Sequence, residues 1–511
     1  MNRLQRSSVN MLSSAAGYAV PMLVSFITTP LLLRGLGEAT FGLQSLVGVI
    51  IGYLTLMDMG IAWPITKFLA EDRARHEGEA ENRLLSTTLQ LYAGIGLAGM
   101  ISIMLLADWL ARSVFQIPAD LVNQAVIVFR LAGIGFLGSV GMSWGSAVTM
   151  GLQRFDLNYS VSVVLSTAGT LLGLGGVYAG YGVVGYVLIR VIFTALAGPI
   201  YFILACRLLP GFRFRQGIHR ATLRRVRGYV GYGAFNRVTS SLVSRLDQTL
   251  LGIWAGVGAA GVYSVPFLVV NSLGYMLAYM LGFIFPMASE LQSLGQMDHL
   301  RDIFIRASRF IVALAGLIFI PLFVLGDLFL AVWTPGIAAQ AAGVLRLLTL
   351  AGYIGTLTAS LPNSVMVGFG KMRQFTIYTT IRAIILAASC FIFIRPLGIE
   401  GAGWALLFTC SVDVVYFVIF LCRYVQISPS LLLQKAYLKP ILLGVAFAAL
   451  TFLCRPFAIS WIGFGAIGVG LLVIYITVGF VVGVFGESEK RALIILYNLV
   501  KDRVSTVRGS L

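Results

Sequence analysis

The stretch VNMLSSAAGYAVPMLVSFITTPLLLRGLG, residues 9–37, decides how this chain folds. From Val9 to Leu33 it carries no charged residue, and about 20 mostly apolar residues are enough to take a helix across roughly 30 Å of hydrocarbon. Arg34, Gly35 and Gly37 then end the run. Asn2, Arg3 and Arg6 upstream resemble the start of a signal peptide. The run is too long for one and lacks a convincing small-residue cleavage site, so it reads as a retained first span.

The pattern repeats to the end of the chain. Of 511 residues, 58% are hydrophobic and only 11% charged, with a mean hydropathy of +0.91, whereas a soluble domain carries roughly 25% charged residues. In lipid every backbone polar group must be satisfied internally, which selects helices for runs of this length. Apolar runs between charged or Gly/Pro-marked breaks predict spans near 9–33, 41–66, 84–107, 123–149, 156–180, 183–206, 229–254, 259–286, 304–326, 340–366, 372–394, 398–422, 438–455 and 461–485. The expected fold class is therefore an all-α polytopic membrane protein of about 14 transmembrane helices. Turns such as Gly180-Tyr181-Gly182 leave no room for a soluble catalytic domain.

Orientation follows from Lys and Arg, which cytoplasmic loops hold in excess. With a cytoplasmic N-terminus, 27 of the 37 basic residues fall in cytoplasmic segments, 4 (Arg34, Arg112, Arg395 and Arg455) outside, and 6 within spans. The opposite orientation would exchange 27 and 4, so both termini are expected in the cytoplasm. The net charge of +17 is then mostly topology, including Arg213, Arg215, Arg220, Arg224, Arg225 and Arg227, which suits anionic cytoplasmic lipids better than nucleic acid.

The remaining chemistry is mostly excluded. Cys206, Cys390, Cys410, Cys422 and Cys454 show no metal-ligand or C-x-x-C spacing. His76, His219 and His299 all fall in cytoplasmic segments, which argues against a histidine metal centre or proton relay within the membrane. No phosphate-binding G-x-x-x-x-G-K-[ST] element occurs. No catalytic residue, metal or cofactor is expected. Trp109, Trp333 and Trp461 read as interfacial anchors.

Local matches recur at one spacing. Leu106-Ala107-Asp108 is similar to Leu325-Gly326-Asp327, and Gln124-Ala125 with Arg130-Leu131 to Gln340-Ala341 with Arg346-Leu347. Gly151-Leu152-Gln153-Arg154 is similar to Gly368-Phe369-Gly370-Lys371, and Gly37 with Gly42 to Gly256 with Gly261. The offset spans six helices, an even number, so the copies share one membrane orientation and are related by an axis along the membrane normal. The expected organisation is an N-terminal six-helix lobe (1–206), a basic cytoplasmic inter-lobe linker (207–228) and a parallel C-terminal six-helix lobe (229–422). Two additional C-terminal helices (423–485) and a cytoplasmic amphipathic tail (486–511) complete it, with a central cleft between the lobes.

This layout resembles the multidrug/oligosaccharidyl-lipid/polysaccharide exporter superfamily and, within it, the Wzx-like polysaccharide transporter branch. The likeness is carried by Asn10, by Pro30 to Gly37, by Phe41-Gly42-Leu43 and by Tyr53-Leu54 to Asp58-Met59-Gly60-Ile61. A second matching segment is Leu246 to Gly252 with Gly261-Val262-Tyr263. The resemblance implies a non-enzymatic flippase of the bacterial inner membrane. Its cargo would be a polyprenyl-diphosphate-linked oligosaccharide, moved by alternating access for O-antigen, capsule or exopolysaccharide assembly. Expected partners are that lipid-linked oligosaccharide, membrane lipids, a polysaccharide polymerase and a chain-length regulator.

Ionisable residues within spans are costly and mark functional candidates. Here they are Asp58, Arg130, Arg190, Arg237, Arg245, Asp247, Arg346, Arg382 and Asp413. Arginine outnumbers aspartate, which leaves cations without internal partners, and a guanidinium fork fits phosphate oxygens. Arg130 and Arg346, equivalent in the two halves, are expected in the outer third of their spans, where they could face the cleft or snorkel to headgroups, as could Arg190. Arg245 and Arg382 lie deeper and are expected to line the cavity. Arg237, nearer the cytoplasm, is the weakest of the arginine candidates. Asp58 and Asp247 match acids of the resembled family and, with Asp413, are candidates for ion coupling or structural pairing. Arg245 and Asp247, two residues apart, point to different helix faces and do not neutralise one another. Competing readings are a peptidoglycan-precursor flippase, a cation-exporting multidrug antiporter, which needs carboxylates in the cleft, and a membrane polysaccharide polymerase, which needs a large extramembrane loop.

Overall fold

The computed structural model describes residues 3–58, 60–226, 239, 243–280, 287, 291–292, 294–458 and 460–485. The expectations for Arg227, Arg237 and the tail 486–511 lie outside the described residues, and so does the side chain of Asp58. Among the described residues the regular structure is all helical, with ten helical stretches long and apolar enough to cross a bilayer. Two of them, Phe155–Leu208 and Arg373–Val425, run for 54 and 53 residues. At about 1.5 Å per residue that is more than twice a bilayer.

Each long stretch bends at a glycine in the left-handed region, Gly180 (φ 92°, ψ 2°) and Gly398 (φ 57°, ψ −126°), so each supplies two crossings. The shorter apolar helix Glu38–Leu54 and the expected seventh span, which begins on undescribed residues, complete the roughly fourteen spans that hydropathy predicts. The protein is a multi-pass, all-α membrane protein.

In chain order the helices are α1 (Arg3–Leu36), α2 (Glu38–Leu54), α3 (Ala62–Ala74), α4 (Gly78–Trp109), α5 (Val122–Gly151), α6 (Phe155–Gly176), α7 (Gly182–Leu208), α8 (Leu246–Trp254), α9 (Val257–Met280), α10 (Met297–Trp333), α11 (Ala338–Gly368) and α12 (Met372–Phe420). Two more follow, α13 (Pro429–Leu453) and α14 (Trp461–Val481). The expected second span, 41–66, is interrupted. Helix α2 gives way to a 3-10 turn at Thr55–Asp58, and Gly60 takes φ 74°, a conformation that glycine adopts without steric cost, before α3 starts. Conversely, α10 runs seven residues beyond the predicted end at 326, so Asp327 lies inside a helix.

The chain divides into two compact units, residues 1–268 with 376–406, and residues 269–375 with 407–511. In the first, α5 packs along α4 and α7, and α1 along α6. Its core gathers Ile65, Leu69, Leu85, Tyr92, Phe136 and Trp144, with the Trp144 indole donating to Thr88 Oγ1 at 3.2 Å. In the second, α10 packs on α11 and α13, and Phe447, Leu471 and Tyr475 close a smaller core, where the Tyr475 hydroxyl donates to the Ala313 carbonyl at 2.8 Å. Trp109 and Trp461 are exposed. Trp333 is not, contrary to expectation. It is buried and stacked on Phe329, because the longer α10 carries it into the packing.

The basic segment after α7 is stitched to the side of α4 by polar residues one helical turn apart. Asn82 Oδ1 accepts from the Arg213 N–H at 3.0 Å while its amide donates to the Gly211 carbonyl at 3.0 Å. Ser86 Oγ accepts from the Arg215 N–H at 3.0 Å. Gln90 Oε1 accepts from the Gly217 N–H at 2.9 Å, and its amide donates to the Arg215 carbonyl at 3.0 Å. Positions 82, 86 and 90 share one helix face, so these side chains act as a pairing edge for an extended backbone. Arg225 anchors the far end on Asp72, at 2.8 Å, and lies over the Phe68 ring. Arg213, Arg215, Arg220 and Arg224 point outward, exposed.

Candidate functional site

Two of the segments that carry the family resemblance in sequence, Phe41 to Tyr53 and Leu246 to Tyr263, meet in the first unit, where α2 packs against α8 and α9. Close approach comes first. A Cβ at Gly42 would overlap the Val257 carbonyl, and one at Gly261 would lie 2.7 Å from the Gly42 Cα, so α2 and α9 cross backbone to backbone at two glycines. Such contacts substitute for the hydrophobic driving force that lipid removes.

About three turns further along α2, polar groups bridge the helices. The Tyr53 hydroxyl and Thr249 Oγ1 are 2.7 Å apart. Arg245, at the N-terminal boundary of α8, lays its guanidinium across Gly52, where any Cβ would overlap it, and donates from Nη1 to the Gly48 carbonyl at 2.8 Å. Arg245 is half-buried, so this fixed cation keeps part of its surface accessible.

Asp247 points elsewhere, as the two-residue spacing requires. It is buried, its Oδ1 accepts from the Gln248 N–H at 2.8 Å and its Oδ2 accepts a short hydrogen bond from the Tyr263 hydroxyl. A carboxylate in the first turn of a helix also gains from the helix dipole. Tyr263 is the functional neighbour that sequence reasoning missed as a partner. It stood in the matched Gly261-Val262-Tyr263 segment, but no spacing rule links it to Asp247 across two helices.

The other candidates are distributed. Arg382, on α12 within the same unit, is half-buried. Thirteen residues further along that helix, Arg395 lies over the rings of Phe391 and Trp254, and those rings meet edge to face at 5.6 Å, which ties that part of α12 to α8. Arg130 and Arg190 are exposed; Arg190 lies beside the Tyr186 ring and borders a small recess with Ser162, Ser166 and Phe193. Asp413 is buried in the second unit.

Arg346 departs from the expectation of an unpaired cation. Its Nη2 donates to Asp327 Oδ2 at 3.1 Å, and Arg455 Nη2 donates to the same oxygen at 2.7 Å. The predicted span had stopped at 326, one residue short of this partner. The two matched sequence segments differ in pairing, because Asp108, which the sequence comparison aligns with Asp327, bonds Arg112 four residues on at 3.1 Å, while Arg130 has no ion pair among the described residues. No cluster of three metal-ligating side chains occurs among the described residues.

The fold is shared with solved transporters. A lipid II flippase MurJ in an inward closed conformation matches with TM-score 0.70 at 10% identity, over 92% of this chain and 98% of that one. An inward-facing multidrug resistance MATE transporter of the MOP superfamily matches with TM-score 0.62 at 16% identity, over 82% and 98%. Among curated proteins, the "Putative O-antigen transporter" of Shigella flexneri is 21% identical over 76% of this chain and 91% of its own length. The uncharacterized membrane protein EpsK of Bacillus subtilis (strain 168) is 22% identical over 64% of this chain, which spans 65% of that protein. The profile of the polysaccharide biosynthesis protein family matches residues 8–292, more than half of the sequence and the whole of the α2–α8–α9 junction, and the chain belongs to that family.

Proposed function

We propose that this protein is a flippase that carries polyprenyl-diphosphate-linked oligosaccharide units across the bacterial inner membrane by alternating access, supplying O-antigen, capsule or exopolysaccharide assembly. No covalent bond is made or broken in this reading. The observation that carries it is Arg245, a permanently charged group held on a glycine-cleared face of α2 at the place where the family's segments converge, with the adjacent carboxylate, Asp247, turned away to Tyr263. A cation left accessible beside an acid already engaged favours an anionic cargo over a cationic drug.

Arg245 and Arg382 are the proposed contacts for the diphosphate, and the exposed Arg130 and Arg190 the proposed points of entry or release. The paired Arg346 takes part only if its link to Asp327 opens. Asp58, Asp247 and Asp413 remain the candidates for ion coupling or structural pairing. The name of the Shigella relative, which the match covers over 91% of its length, supports a polysaccharide precursor as cargo, and the arginine distribution supports cytoplasmic termini.

Reconstitution into liposomes with defined lipid-linked oligosaccharides, with and without an imposed pH gradient, tests the reading by leaflet exchange. Wild-type protein should accelerate exchange, and the Arg245→Ala/Arg382→Ala double variant should insert normally but lose transport. Full transport by the double variant would sink the assignment of these two residues. Exchange of a peptidoglycan precursor alone would redirect the substrate.

A further inference from the structure

The Asp327 cluster in the second unit stands at one end of an apolar groove between α10, α11 and α13. The groove has a volume of about 260 Å³, and Val324, Leu350, Tyr353, Ile441, Gly444 and Ala448 are among its walls. Below the roughly 300–1,000 Å³ of a drug-sized pocket, that volume, with its apolar lining, suits a length of one hydrocarbon chain.

The connection between cluster and groove is direct. Arg455 Nη1 donates to the carbonyl of Val324 at 2.5 Å, itself a wall residue. Asp327 lies three residues beyond Val324 on α10, and Arg346 four before Leu350 on α11, so both charged groups share the groove's helix faces. From the cluster the groove runs down α13 from Ala448 to Ile441, about 10 Å at the helical rise. Gly444 widens it, since a Cβ there would come within 2.9 Å of Ile320 Cδ1. Val445 and Phe323 leave the groove open at the helix surface.

Charge selects the occupant. Two guanidinium groups share one carboxylate, which leaves a surplus of one positive charge. Both arginine side chains keep exposure, 45% for Arg346 and 28% for Arg455, so their outer N–H groups are within reach of a ligand. A phosphodiester carries one negative charge and matches this surplus, whereas a sugar-linked diphosphate carries two. With Arg455 in a loop expected outside, the charged end lies where headgroups of the outer leaflet sit and the groove descends into that leaflet.

We propose that α10, α11 and α13 hold one anionic glycerophospholipid, with its phosphodiester on Arg346 and Arg455 and one acyl chain in the groove. This lipid is a resident of the second unit, distinct from the transported cargo, and its assignment does not rest on the transport reading.

Native mass spectrometry of the full-length, delipidated protein in detergent, titrated with phosphatidylglycerol or phosphatidylcholine, tests it. Wild type should bind one phosphatidylglycerol in preference to phosphatidylcholine. Arg346→Gln/Arg455→Gln should weaken that binding at least tenfold, and Arg346→Lys/Arg455→Lys should retain most of it. Ala448→Phe fills the groove without touching the charges and should also weaken binding, which keeps the test open if the glutamine variant does not fold. Equal affinity for the zwitterionic lipid, or unchanged phosphatidylglycerol binding in the folded Ala448→Phe protein, would overturn the proposal. So would displacement of phosphatidylglycerol by undecaprenyl diphosphate at lower concentration, which would assign the groove to cargo. Leaflet exchange in phosphatidylcholine liposomes is read separately, so a failure here leaves the proposed function to its own test.

Discussion

Arg346 donates to Asp327 across 3.1 Å, and the carboxylate oxygen that accepts it is shared with Arg455 at 2.7 Å. The Asp327 side chain is 25% exposed, intermediate between surface pairs worth about 0–1 kcal/mol and buried ones whose breakage costs about 3–5 kcal/mol. Asp327→Asn should therefore destabilise the protein by about 1–3 kcal/mol, measured as a lowered Tm in detergent. Arg455→Gln should cost more than Arg346→Gln, because Arg455 is the less exposed partner and also bonds the Val324 carbonyl. The reverse order would mean that Arg346 makes the dominant interaction.

Gly52 and Gly48 provide a matched pair one turn apart on α2. A methyl group at 52 overlaps the Arg245 guanidinium, whereas one at 48 meets nothing within 4 Å. The obstructing atoms at 52 belong to a long flexible side chain, so Gly52→Ala should displace Arg245 with little loss of stability. Leaflet exchange should fall about tenfold or more in Gly52→Ala and stay near wild type in Gly48→Ala. Equal transport by the two would separate Arg245's position from function.

At Gly42 the obstruction is backbone rather than side chain, since a Cβ overlaps the Val257 carbonyl. Neither helix can yield without moving as a whole. Gly42→Ala should cost about 1–3 kcal/mol through overpacking, visible as a lowered Tm and poor membrane accumulation. A thermal midpoint equal to wild type would show that the α2–α9 crossing is looser than its geometry.

Tyr263 supplies the hydroxyl that satisfies the buried carboxyl of Asp247. Tyr263→Phe leaves that acceptor short of a donor, at a cost of about 1–3 kcal/mol. Asp247→Asn/Tyr263→Phe should cost less than the sum of the single variants, because the two groups share one interaction. Additive losses in thermal unfolding would show that each residue acts through other neighbours.

The span pattern was legible from Val9–Leu33 onward because the bilayer imposes one length and one hydrogen-bonding rule on every crossing. The turn at Gly180 was placed by the same reading, and the break between the spans 372–394 and 398–422 falls beside the bend at Gly398. Pairings between distant segments were not legible. Arg455 lies more than 120 residues from Asp327, and nothing in either local sequence names the other. Hydropathy ended the ninth span at 326, because an aspartate reads as a boundary even where an arginine from another helix has made it tolerable inside. Trp333 was misread for the same reason. Asp247 was singled out as an acid within a span and is buried, but its tyrosine partner is a product of how α8 and α9 pack.

The stitched linker joins fold and orientation in one measurable property. Asn82, Ser86 and Gln90, at the start of α4, hold the backbone of Gly211, Arg213, Arg215 and Gly217. The arginine side chains there stay exposed, but a protease needs the backbone extended and free, and these hydrogen bonds withhold it. Replacing Asn82 and Gln90 with leucine removes four of the bonds while keeping the helix-forming character of α4. Tryptic cleavage at Arg213 and Arg215, followed by mass spectrometry of the fragments, should accelerate on the order of tenfold if the lost bonds together hold about 1.4 kcal/mol of local stability. In oriented membranes the same cleavage should occur only from the cytoplasmic face if this segment lies where the arginine excess predicts. Cleavage from the opposite face would reverse the assigned topology, and an unchanged rate in the double variant would show that Ser86 and the Arg225–Asp72 anchor suffice to hold the linker.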